Sequence, residues 1–362
     1  MIMEKNAFIT ISFLLAAILV MPAACAQDAV LTNPPSASGN PVFRTPNGIA
    51  VDSAGNIYVI DNNNYTVWKF SPSGNVITYW GSEGSGKGQF EKLESIAIDD
   101  QNFIYITDNM NNRVQKFSSD GVYISHGDFL ADNGTGYSPP TESSRNTSHW
   151  ICGIAVGADG NLYIVDKGHN SIYKTTPDGK ILAKWGSQGY GDGQFNQADR
   201  IAVDREGNFF VTDNVNNRVQ KFSANGTFLI SWGSEGTDDG QFSSPGGIGV
   251  DRNGFVYIAD ANNNRVQKFT GSGIFVTRWG SWGSNDGEFR GPYDVAADSN
   301  DNIYVADFFN HRVQKFTSDG KFIMKWGGSS QTAHKTSSSP GFRFFPVIGA
   351  VVLAWLVVVR RR

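Results

Sequence analysis

Cysteine is nearly missing from this sequence, with only Cys25 and Cys152 in 362 residues. The first falls in an N-terminal segment expected to be removed. One remaining thiol cannot form an internal disulfide, so cysteine usage neither demands nor excludes an oxidising compartment. A basic excess is missing too: 30 Lys and Arg stand against 34 Asp and Glu, a net charge of −4, with a pI near 5.7. A protein that neutralises phosphates needs a basic stripe instead, so no nucleic-acid partner is expected. Histidines number five, and no D-x-D-x-D-G calcium loop occurs. Long hydrophobic runs are confined to the two ends.

At the N-terminus, Lys5 precedes an apolar run from Ala7 to Val20, then Pro22 and Ala24-Cys25-Ala26. The run is short for a membrane span, and A-x-A is a peptidase-type site, so residues 1–26 read as a cleaved export signal. Pro22 stands where a lipobox at Cys25 wants an aliphatic residue. Residues 27–40 form a polar lead-in containing Pro34-Pro35. At the other end, the Ser/Thr-rich linker 329–339 leads to a C-terminal segment, 340–362. There Pro340-Gly341-Phe342 precedes an apolar run, Phe344 to Val359, and Arg360-Arg361-Arg362. Sixteen residues of helix span about 24 Å against a hydrocarbon core of about 30 Å, a marginal anchor. Terminal arginines stay cytoplasmic, which leaves the rest of the chain outside.

What is abundant lies between those ends. Gly (41 residues) and aromatics (13%) suit many tight turns with large residues packed between layers. From Ile201 to Trp232 run the phrases I-A-V-D, G-N-F-F-V-T-D, N-N-R-V-Q-K-F and F-L-I-S-W-G, each β-rich and separated by Gly, Asn or Asp turn signals. This reads as a four-stranded antiparallel meander, strands a to d. Ile49, Ile96, Ile154, Ile201, Ile248 and Val295 open six copies, spaced by 47, 58, 47, 47 and 47 residues. An Asp follows twelve residues after each opener: Asp61, Asp108, Asp166, Asp213, Asp260 and Asp307. Six β-meanders at a fixed period predict an all-β, six-bladed propeller of four-stranded antiparallel blades over residues 41–328. Strand a is innermost and strand d outermost. The face on which strand a starts, with the b–c and d–a loops, is called the top. At the end of blade 2, His126 replaces the usual Trp, and an insert rich in Gly, Ser, Thr, Asn and Pro precedes blade 3.

The phrases G-I-A-V-D, G-N-x-Y-V-x-D, N-x-R-V-Q-K-F and closing W-G resemble NHL repeats. Four copies carry R-V-Q-K-F outright, at Arg113, Arg218, Arg265 and Arg312. The tail resembles the PGF-CTERM sorting signal of archaeal surface proteins. That resemblance implies removal of the tail by an archaeosortase, its replacement by a lipid, and a place at the cell surface.

Repeated residues are expected to build the fold. The Asp–Arg pairs (Asp213 and Arg218) read as turns whose carboxylate accepts backbone N–H bonds and pairs with the Arg. Trp80, Trp185, Trp232, Trp279 and Trp326 are expected between neighbouring blades. Function belongs where the copies differ. The residues just before strand a place Glu94, Asp199, Arg200, Tyr293 and Asp294 around the top of the channel, a polar and mostly acidic mouth suited to a ligand. Around blade 6, Trp282 replaces Glu83, Gln188 and Glu235, and Phe308-Phe309 replace polar turn residues. These aromatics predict a patch for stacking on a sugar or anchoring a partner.

Metal chemistry has thinner support. The NHL resemblance extends to a zinc-dependent peptidyl-hydroxyglycine lyase, but His149 and His169 fall near blade 3 and His311 in blade 6, which disfavours a three-histidine site. Acidic turns such as Asp238-Asp239-Gly240 offer oxygen ligands. No cofactor is therefore expected, with calcium the one to check. Cys152 reads as a buried thiol. N-x-S/T triplets at Asn64, Asn133, Asn146 and Asn225 are glycosylation candidates. The sequence thus points to a cell-surface binding propeller for a protein, a glycan or envelope polymer, or a small ligand, joined to the membrane by its C-terminal anchor or lipid. A metal-dependent lyase or hydrolase is the alternative, and RNA binding a third reading that acidity and export oppose.

Overall fold

Strands b and c of each repeat are runs such as I-Y-V-I-D and T-V-W-K-F, apolar on both faces, and both faces are buried. Only a strand sandwiched between two neighbouring sheets needs that composition. A computed structural model, describing residues 43–127 and 149–328, shows the arrangement that supplies it. Six antiparallel sheets of four strands each are built from consecutive strands. Blade 1 consists of Pro46–Val51, Ile57–Asp61, Thr66–Phe70 and Val76–Trp80. The outermost strands form the rim and carry exposed side chains, alternating with more covered ones in strands such as Phe322–Gly327, where successive side chains point to opposite faces. The signal segment, the lead-in, Asn133, Asn146, the linker and the C-terminal segment lie outside the described residues. Among the described residues no helix is long and apolar enough to cross a membrane.

The core is divided among the seams between blades. One cluster joins Tyr58 and Trp80 of blade 1 to Leu93, Ile104 and Phe117 of blade 2. Trp80 lies 5.9 Å from the Phe117 ring, Trp185 5.2 Å from Phe209, Trp232 5.9 Å from Phe269 and Trp279 5.8 Å from Phe316. The last seam repeats the pattern across the ring, with Trp326 5.8 Å from Phe70. The seam between blades 2 and 3, where His126 takes the Trp position, is filled by Tyr105, Val114, Ile151 and Tyr173. Each Trp is covered by the c–d turn of the next blade. At Gly226 φ is +84°, and a Cβ there would lie 1.9 Å from Trp185 Nε1. That position requires glycine twice over, for its backbone and for the indole.

Every blade is complete, so the ring closes through side chains and not through a borrowed strand. Within the chain, Gly186, Gly233 and Gly280 each back onto a Phe of the following loop, namely Phe195, Phe242 and Phe289. At the closure Gly327 backs onto Phe43 in the same way, and Phe43 packs edge-on against Trp68 and Phe70.

The repeated Asp is structural, as expected. Asp213 accepts the Asn196 N–H at 2.7 Å, Asn216 Nδ2 at 2.8 Å and Arg218 Nε at 2.8 Å. The arginines then reach onward to loop carbonyls, as Arg113 does to Ser85, Gly86 and Gln89. One buried carboxylate thereby ties the d–a loop, the b–c turn and strand c together.

Candidate functional site

Six sheets radiating from an axis cannot pair their innermost edges with one another, so strand-a backbone groups face the channel unpaired. Side chains entering the top of the channel meet those groups. Arg200, on strand Ala198–Val203 of blade 4, is 2% exposed and crosses the axis. Its Nη2 donates to Glu94 O at 2.8 Å and Asn47 O at 3.4 Å, on blades 2 and 1. Its Nη1 lies 3.6 Å from Asp199, and its guanidinium sits 5.2 Å over the Tyr293 ring of blade 6. Asp294 accepts the Ile49 N–H at 3.0 Å and the Val295 N–H at 2.9 Å. Lys92 pairs with Glu94 at 2.5 Å and Lys167 with Asp199 at 3.5 Å.

All five residues expected at the mouth thus converge, but as a buried plug and not as an open acidic ring. The cause is the reach of Arg200, which spans four blades and pairs with Asp199, while Lys92 pairs with Glu94 and backbone N–H groups hold Asp294. Below the plug, a cavity of about 200 Å³ is lined by strand-a residues from Ile49 to Ala297. Burial pushes the Asp294 carboxyl up to about 6, against the opposing pull of Arg200 and the two amides. Burial acts to lower the Arg200 pKa, but Asp199, Tyr293, Asp294 and Glu94 hold it above the ordinary value. Cys152 is buried, its Sγ donating to Asp199 O at 3.0 Å, and burial pushes its thiol up to about 12. Such a thiol is no nucleophile.

The blade 6 aromatics meet as the sequence implies. Tyr293 stacks on Phe308 at 5.3 Å, and Phe308 meets Phe309 edge-on at 4.8 Å. Phe309 N–H donates to Arg290 O, and the Arg290 guanidinium lies 5.0 Å over Trp282. Trp282 and Phe309 are 67% and 62% exposed, whereas Phe308 is half-buried. A continuous ladder therefore runs from the plug to the open top surface. The other exposed apolar side chains of the top loops are Met110, Trp150, Tyr190 and Val215. Of the glycosylation candidates, Asn225 is exposed in its turn, while Asn64 uses Nδ2 to hold Asp61 at 2.5 Å.

Blade 3 holds a constellation that sequence reasoning missed. His149 Nδ1 lies 2.5 Å and His169 Nδ1 2.8 Å from Asp166 Oδ2. The imidazole centroids are 4.5 Å apart. Burial acts to raise the Asp166 carboxyl, but hydrogen bonds from His149, the Trp150 N–H and His169 hold it below the usual range. At the equivalent Asp61 and Asp307 burial prevails, and both are raised. The available signal was the broken repeat frame: His169 stands where the other blades have Asn, and Ser171 where four of them have Arg. His311 is elsewhere, its Nδ1 2.5 Å from Arg44 O, so no three-histidine set forms among the described residues.

The NHL repeat family model matches residues 195–222, 242–269 and 289–316, and a DUF5128 model, a 6-bladed beta-propeller, matches residues 46–135. No curated protein matches the sequence. Among solved structures, a streptogramin B lyase is 16% identical with a TM-score of 0.56, over 81% of this chain and 87% of that one. A catalytically inactive virginiamycin B lyase from Staphylococcus aureus, with quinupristin, is 17% identical with a TM-score of 0.54, over 80% and 86%. A protein of unknown function from Bacteroides thetaiotaomicron VPI-5482 is 18% identical with a TM-score of 0.56, over 79% and 70%. At such identities the likeness is one of fold. The chain is a six-bladed β-propeller that carries NHL repeats.

Proposed function

We propose that this protein is a binding propeller displayed outside the cell and tethered by its C-terminal segment, whose top face recognises a surface protein or an envelope polymer. The observation that carries the reading is the exposed pair Trp282 and Phe309, flanking Arg290 and backed by Phe308 and Tyr293. Aromatic and Arg side chains on a rigid support are the composition of interface hot spots. A small ligand fits less well. The plug closes the mouth from above, and about 200 Å³ of channel falls short of the roughly 300–1,000 Å³ typical of ligand pockets. Lyase chemistry of the three-histidine kind is not favoured, because His149 and His169 belong to blade 3 and His311 to blade 6. The apolar N-terminal run and the Arg-ended tail support the outward placement.

Biolayer interferometry against purified envelope polysaccharide and, separately, against solubilised surface proteins distinguishes the two partner classes. On the arm that binds, the double variant Trp282→Ala/Phe309→Ala should lose at least about 2 kcal/mol, roughly 30-fold in affinity. Unchanged affinity in the variant removes the patch from the account.

A further inference from the structure

We propose that His149, Asp166 and His169 hold a divalent transition-metal ion of the zinc class on the top face of blade 3. This site is independent of the partner-binding reading. The other blades show what the position does without imidazoles. There Asn64, Asn111, Asn216, Asn263 and Asn310 each donate Nδ2 to the repeat Asp. In four of those blades Arg113, Arg218, Arg265 and Arg312 add Nε to the same oxygen. Amide and guanidinium nitrogens only donate hydrogen bonds, and neither can ligate a metal. In blade 3 both are gone. Ser171 vacates the Arg position, its Oγ donating instead to His169 O, and two imidazoles take over the carboxylate oxygen.

The three ligand atoms all lie within 4.8 Å of one another. Bonds of about 2.0–2.2 Å to one tetrahedral ion separate such atoms by roughly 3.3–3.5 Å. Small rotations of two partly exposed imidazoles meet that requirement. The carboxylate is already oriented: Asp166 Oδ1 accepts the Trp150 N–H at 3.0 Å and the His169 N–H at 3.3 Å, so Oδ2 is the oxygen presented. Backbone donors that fix a ligating carboxylate are the usual outer support of a metal centre. Two imidazoles and one carboxylate select zinc-like ions over calcium or magnesium, which prefer all-oxygen sets. Asp166 is fully buried while His169 is exposed, so the remaining coordination positions face solvent and take water or a partner's side chain.

The test uses the full chain without a polyhistidine tag. Titration calorimetry with Zn²⁺ should give one saturable equivalent, Co²⁺ should give the visible absorption of a tetrahedral site, and Zn²⁺ should raise the unfolding midpoint. His169→Asn restores the residue that five other blades carry, so its metal-free midpoint should match the wild type while binding, absorption and stabilisation are lost. His149→Gln gives the same loss by an independent route. Absence of one-to-one binding in the wild type, or binding that survives both substitutions, overturns the proposal.

Discussion

Asp294 shows how a buried carboxyl is tuned by what crosses the channel. Its pKa is about 6, above its ordinary 3.8, so the fold favours the protonated acid. The resulting stabilisation is fully present below about pH 4 and is lost as pH rises through 6. Its size is on the order of 3 kcal/mol. Asp294→Asn should therefore flatten the fall in stability between pH 4 and 6, read as urea midpoints across that window. An unchanged pH slope would show that Asp294 is not desolvated as described. The five mouth residues were legible in the sequence because their positions break a repeat whose phase is plain. Their closure into a plug was not, because it depends on one long side chain reaching blades that are distant in the chain. The His149–Asp166–His169 cluster was hidden for a related reason. The Asp looked like one repeat residue among six, and its histidine partner enters from a loop 17 residues earlier.

Among the elements, the c–d turns carry the seams. Gly226 and Gly240 have nearly the same backbone, at φ +84° and +81°, but a Cβ at Gly240 would meet nothing within 4 Å. Gly240→Ala should cost only the left-handed penalty, about 1–2 kcal/mol. Gly226→Ala must also displace the Trp185 indole and should cost about 1–3 kcal/mol more. Equal losses in chemical denaturation would mean that the turn does not brace the indole. Strand spans followed from β-rich phrases bounded by turn residues, and the Trp positions from the period. The absence of Trp at His126 was visible in the sequence. What fills that seam was not, because Tyr105 and Tyr173 come from different repeats and meet only when blades 2 and 3 pack.

Across the whole molecule, six complete blades close through Gly327 on Phe43 and Trp326 on Phe70. The repeat phrases read from Ile49 onward hid the part that Phe43 plays. It becomes visible only when Phe43 is set beside Phe90, Phe195, Phe242 and Phe289, each of which packs under the glycine of the preceding blade. Apart from Val122 and Ile274 in the c–d turns, closure divides the exposed apolar residues of the described chain into two sets. One lies on the rim strands, including Leu182 and Ile230, and the other on the top loops, including Trp282 and Phe309. An exposed apolar rim residue recurs in every blade, as Ile77, Ile124, Leu182, Leu229, Val276 and Ile323, whereas the top-loop residues are departures from the repeat. We propose these departures, placed on one face by the ring, as the binding surface. Its most direct test is retention of the purified protein on an envelope fraction, comparing the wild type, Trp282→Ala/Phe309→Ala and the rim control Leu182→Ser/Ile230→Ser. The top-face variant should be washed through while the rim variant is retained like the wild type; retention lost in the rim variant and kept in the top-face variant would place the binding surface on the rim instead.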